Sequence, residues 1–201
     1  MEENTLENQL FVKQAIESVR MGAEVDLAYR VIVDQSLKNN SNLYGVYTQL
    51  GKAPTFDSYL KKFDSQFSVA NLNLSVDNQF KTKQNPDYWD AQAITLTPEN
   101  YLIKIIINND AGLPSNIMKF PKIISALVFI HEMMHAELYR KLLTCSKLPN
   151  VNTEDMTDDQ WRNYLKNMQN KFKDLYKIYT KYALNTKEPS PYQHQYMALK
   201  Y

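Results

Sequence analysis

The sequence predicts an α+β domain. Three observations carry that prediction: one β-forming region in the middle of the chain, a turn between two of its strands, and apolar residues at helical spacing on both sides. The run Tyr101-Leu102-Ile103-Lys104-Ile105-Ile106-Ile107 is the clearest strand, and Asn108-Asn109-Asp110-Ala111-Gly112 ends it. Thr97-Pro98-Glu99-Asn100 reads as a turn linking it to a strand at 93–96, since proline and asparagine suit tight turns. Residues 67–76 (FSVANLNLSV), rich in branched and aromatic side chains, are a third strand candidate. The expected arrangement is a small antiparallel sheet packed on a long helix, with additional helices around it.

Taken in order, residues 5–37 read mainly as helix, because Leu6, Leu10, Ala15, Ile16 and Val19 recur at a spacing near three to four. Val25, Leu27, Tyr29, Val31 and Val33 then alternate with period two, which leaves strand and helix both open for that stretch. Lys38-Asn39-Asn40-Ser41-Asn42 is a polar break. A short helix follows from Thr55, its expected N-cap, with Phe56, Leu60 and Phe63 on one side. Beyond the strands, Pro121 suits the first turn of a helix reaching about Leu143, with Arg140 and Lys141 near its C-terminal end. Thr157-Asp158-Asp159-Gln160 is a capping box opening another helix. Its apolar residues Trp161, Leu165, Met168, Phe172, Leu175, Tyr179 and Tyr182 keep to one face, a pattern that serves core packing rather than a cofactor. Ser190-Pro191-Tyr192-Gln193 repeats the capping box with proline at the first helical position.

The chain has 201 residues, a one-domain length. A single domain over 1–201 is expected, with a mainly helical part at 1–66 and the core at 67–201. Lys and Arg number 23 against 22 Asp and Glu, a formal charge of +1, which gives no strong nucleic-acid signal. One cysteine, Cys145, excludes an internal disulfide framework. No apolar run approaches the roughly 18 residues of a membrane span, so none is expected. The start, MEENTLENQLF, lacks the basic and apolar regions of a signal peptide, which favours a cytoplasmic chain. With four glycines and no GxGxxG or GxxxxGK[ST], phosphate-loop folds are disfavoured.

His131-Glu132-Met133-Met134-His135 is an HExxH motif inside a predicted helix. Residues four apart nearly eclipse at about 100° per residue, so both imidazoles leave one face, one turn apart. Two such nitrogens can hold one Zn²⁺ at about 2.0–2.1 Å. Glu132 stands beside that face, where it can act as general base on a metal-bound water. The chain has three histidines and ten glutamates, so chance placement would give the motif only about 0.002 times. The bland alternative is two structural histidines with a glutamate between them by accident.

A catalytic zinc normally has three protein ligands and an open position. One histidine remains, His194, in the first turn of the last predicted helix and 59 residues after His135. It is the candidate third metal ligand, against an ordinary surface histidine. Glu154, Asp155, Asp158 and Asp159 are rival carboxylates, whose other use is to stabilise a helix N-terminus. An oxyanion would need a donor as well. Tyr192, Tyr196 and Arg140 are near enough in sequence to be considered, and none stands out. Cys145 reads as an incidental thiol rather than a nucleophile, since no histidine is left to pair with it.

The segment HEMMHAELYRKL resembles the active-site helix of zincin metallopeptidases, especially SprT-like proteins and related small bacterial and phage HExxH proteins. Tyr192-Gln193-His194-Gln195-Tyr196-Met197-Ala198 is similar to their downstream histidine-bearing helix, and the likeness spans roughly 101–201. It implies a zincin-like core at 67–201 that hydrolyses peptide bonds in a peptide or protein substrate. His131 and His135 would be zinc ligands, Glu132 the general base and His194 the third ligand. Residues 101–107 would be the edge strand along which a substrate peptide pairs by β-addition. The sequence also departs from relatives of this type. Leu138 and Lys141 stand where metzincins have glycine and histidine, the SprT third histidine lies closer to the motif, and one cysteine cannot build a zinc ribbon. The last point withholds any carry-over of DNA–protein-crosslink repair. The spacing of His194 and the unassigned first hundred residues motivate the alternative: a catalytically degenerate zincin scaffold acting as a structural or interaction protein, such as a phage or mobile-element component.

Overall fold

A computed structural model describes residues 6–63, 70–96 and 98–146. Five strands form one open sheet in the order β1-β2-β3-β5-β4. They are β1 (Glu24–Asp26), β2 (Val31–Val33), β3 (Asn71–Asp77), β4 (Ala93–Thr95) and β5 (Leu102–Asn108). The helices are α1 (Leu6–Arg20), α2 (Gln35–Asn39), α3 (Ser41–Leu50), α4 (Pro54–Leu60), α5 (Phe80–Lys83) and α6 (Lys122–Ser146). The mixed α+β class holds, and the expected antiparallel sheet does not. The inner strands β2, β3 and β5 are parallel, and only β1 and β4 at the two ends run antiparallel to their neighbours. The cause is the length of the connections. Parallel neighbours need a crossover of a dozen or more residues. The chain supplies one from β2 to β3 through α2, α3 and α4, and another from β3 to β5 through α5 and β4.

A second correction bears on function. Residues 101–107 were expected to form a sheet edge, yet β5 lies between β3 and β4. Ile103, Ile105 and Ile107 are buried on one face of the sheet, while Leu102 and Ile106 pack on the other. A strand apolar on both sides belongs inside a sheet, so β5 has no edge to offer a substrate peptide. The outermost strand at that end is β4, and all three of its residues are buried.

The ambiguous stretch at 25–33 is a β1–β2 hairpin. Asp26 makes its turn by accepting backbone N–H bonds from Ala28 and Tyr29 through Oδ1, at 2.9 and 3.0 Å, the local bonding that suits aspartate to turns. The expected cap of α4 also shifts. Ala53 is the N-cap and Pro54 the first helical residue, where a missing N–H costs nothing, so Thr55 lies inside the helix. Pro121 immediately precedes α6. The helices expected after residue 157 lie outside the described residues, as does the beginning of the strand expected at 67–76.

The principal core lies between one face of the sheet and helices α2, α3, α4 and α6. Helix α6 commits Phe129, Met133, Ala136, Tyr139 and Leu143 to it, all buried at a spacing of three to four, the stripe an amphipathic helix needs. Tyr47 of α3 contacts Phe129 of α6 and Phe56 of α4, with ring centroids 6.0 and 6.3 Å apart. The opposite face is covered at the β2 end by Phe11 and Ala15 of α1, and at the β4 end by Phe80 and Leu113. No helix among the described residues is long and apolar enough to cross a membrane.

Candidate metal centre

His131, Glu132 and His135 sit midway along α6, whose apolar stripe clamps it against β4, β5 and the α3–α4 pair. The two imidazoles are one turn apart, as their spacing requires. Their Nε2 atoms approach to 3.0 Å, with ring centroids 4.7 Å apart and planes inclined by 74°. His135 is buried and His131 half-buried. Two nitrogens each about 2.0–2.1 Å from a tetrahedral zinc are about 3.3 Å apart. The observed separation is slightly shorter and fits a shared cation. It also fits one proton shared between the rings, a donor–acceptor relation set by their tautomers.

Glu132 is directed to the sheet. The Thr95 hydroxyl at the end of β4 donates to its Oε2 at 2.6 Å and lies 3.2 Å from its backbone carbonyl oxygen. Burial pushes the carboxyl pKa up, to about 7, against the opposing pull of the Thr95 bond. A carboxyl that titrates near neutrality is suited to taking a proton and giving it back. Sequence reading missed Thr95. Its only signal is polarity on the core-facing side of a short apolar strand.

A second buried carboxylate, Glu137, was also missed. Arg140 grips it with two hydrogen bonds, Nε to Oε2 at 2.7 Å and Nη2 to Oε1 at 3.1 Å. Lys62 and Lys141 approach Oε1 at 3.5 and 3.4 Å. Desolvation raises its pKa, but Arg140, Lys62 and Lys141 together outweigh this and hold it below the ordinary carboxylate range. Arg140, considered above for an oxyanion, is thus engaged by Glu137. The spacing of Arg140 and Lys141, three and four residues on from Glu137, is the signal that could have found this cluster.

Among the described residues no three His, Cys, Asp or Glu side chains form a group able to hold a metal ion. His194 lies outside the described residues, and so do Glu154, Asp155, Asp158, Asp159, Tyr192 and Tyr196. No protein-family model, curated protein or solved structure matches the chain.

Proposed function

We propose that the protein is a zinc-dependent metallopeptidase in which His131 and His135 hold the metal, His194 supplies the third ligand and Glu132 is the general base. The observation that carries this reading is the 3.0 Å approach of the two Nε2 atoms on the helix that also carries the buried Glu132. Zinc held there would polarise the scissile carbonyl and bring the pKa of its water towards about 7. Glu132 takes the proton of the attacking water and returns it to the leaving amine, which demands that it be ionised before attack and protonated after it. Burial has already brought its two forms close in energy near neutral pH. The imidazoles enter as neutral ligands, and the core residues Phe129 and Met133 fix the helix that presents them.

Protein purified without chelators should carry about one zinc per chain, as a single such site would. Elemental analysis should find it lost from both His131→Ala and His135→Ala, and hydrolysis of unfolded casein should follow the zinc. A normally folded protein that takes up no zinc and cleaves nothing would instead be the non-catalytic scaffold.

A further inference from the structure

We propose that Thr95 is a positioning residue for Glu132, fixing where the general base of the proposed peptidase stands; this rests on that reading. The α6 backbone sets the Cβ of Glu132 and no more. The carboxyl lies three torsions further out, and each torsion has its own staggered or broad minima. Something outside the helix must select among them. Thr95 supplies that selection through the 2.6 Å bond to Oε2.

Three features suit Thr95 to the task. Its side chain is branched at Cβ and therefore stiff at χ1. Its strand is fastened to β5 at and beyond the residue: Thr95 is paired with Ile105, and the next residue donates from Leu96 N–H to the Lys104 carbonyl at 2.8 Å. Both partners of the bond are buried, Thr95 at 2% and Glu132 at 6% exposure, where a hydrogen bond is stronger and its loss costlier than in water. The hydroxyl also lies 3.2 Å from the Glu132 carbonyl oxygen. It has one hydrogen, so it serves one acceptor at a time, and the ionised carboxylate is the better acceptor. Thr95 thus holds the carboxyl in one orientation relative to α6. Misplacing a reacting group by about 1 Å can cost about a hundredfold in rate. The contribution belongs to the chemical step, not to substrate binding, and so to kcat rather than KM.

The test compares Thr95→Val, which keeps the shape and removes the hydroxyl, with Thr95→Ser, which keeps it. Both are made in the full chain, loaded with zinc and assayed on unfolded casein. Thr95→Val should lower kcat about 30-fold with KM within about twofold, and Thr95→Ser should recover most of the loss. Independently of activity, urea unfolding of metal-free Thr95→Val, Glu132→Leu and the double variant should show a coupling of about tenfold in the unfolding constant. Coupling below twofold, wild-type kcat in Thr95→Val, or serine as poor as valine would each overturn the proposal. If wild-type protein cleaves nothing while the coupling is present, the peptidase reading falls and the catalytic role with it, and only the contact stands. If it cleaves casein and the coupling is absent, the peptidase stands and the role of Thr95 is refuted.

Discussion

Glu132→Gln is expected to abolish hydrolysis and, in the metal-free protein at pH 8, to raise stability. The first effect follows from the loss of the base. General-base catalysis is worth about 10²–10⁴-fold, and glutamine keeps the volume of the side chain without its ability to take a proton. Zinc content should be unchanged, because neither imidazole is altered. The second effect follows from burial. The carboxyl pKa rises from 4.5 to about 7 on folding. A group raised in this way favours the folded state fully below the lower value and loses that advantage as pH climbs through the higher one. Between about pH 4.5 and 7 the wild-type metal-free protein should therefore lose ~3 kcal/mol from this carboxyl alone. Glutamine has no charge to bury, so its curve should lack that slope. Subtracting the two urea-unfolding curves from pH 4 to 8 isolates Glu132 from everything else that titrates. Turnover equal to wild type would reject the base assignment, and parallel stability curves would reject the burial argument.

Glu137→Ala is expected to cost ~3 kcal/mol of stability at pH 7, measured by urea unfolding. Three cations converge on this carboxylate, whose side chain is 1% exposed. Breaking a buried pair costs about 3–5 kcal/mol because a charge is left behind without its partner. The lower end applies here, since the side chains of Lys62 and Lys141 are 35% and 33% exposed and stay partly hydrated, while that of Arg140 is 13% exposed. Lys62→Met should accordingly cost less than about 1 kcal/mol. The pH signature is opposite to that of Glu132. A carboxylate with a lowered pKa lends stability above the ordinary carboxylate range, and that stability disappears as pH falls through its folded value. A loss under about 1 kcal/mol in Glu137→Ala would mean that desolvation nearly cancels the attraction.

These two glutamates mark what the sequence does and does not reveal. The pairing of His131 with His135 is legible because both sit on one helix, and helical geometry converts four residues into one turn. Arg140 beside Glu137 is legible for the same reason. Lys62 and Thr95 are not, because each is brought to α6 by tertiary packing across a long stretch of chain. The β4–β5 turn could be read from Pro98 and Asn100, whereas the parallel pairing of β2, β3 and β5 leaves no local trace. Continuous burial of β5 did leave one. Its apolar residues on both faces are the sign of an interior strand, and the edge role implied by the zincin resemblance does not fit them.

The chain between β4 and β5 passes through Asn100 and Tyr101, both in the left-handed region at φ 48° and 64°. That loop decides which side of β4 meets α6. Side chains alternate along a strand, so a slip of one residue turns every one of them over. With one amino acid inserted between Leu96 and Leu102 and β5 held in place, the isobutyl side chain of Leu96 would arrive where a hydroxyl now meets Glu132, and a carboxylate would face hydrocarbon. The loop is therefore constrained in its count more than in its composition, and the acid–base chemistry proposed for α6 inherits that arithmetic.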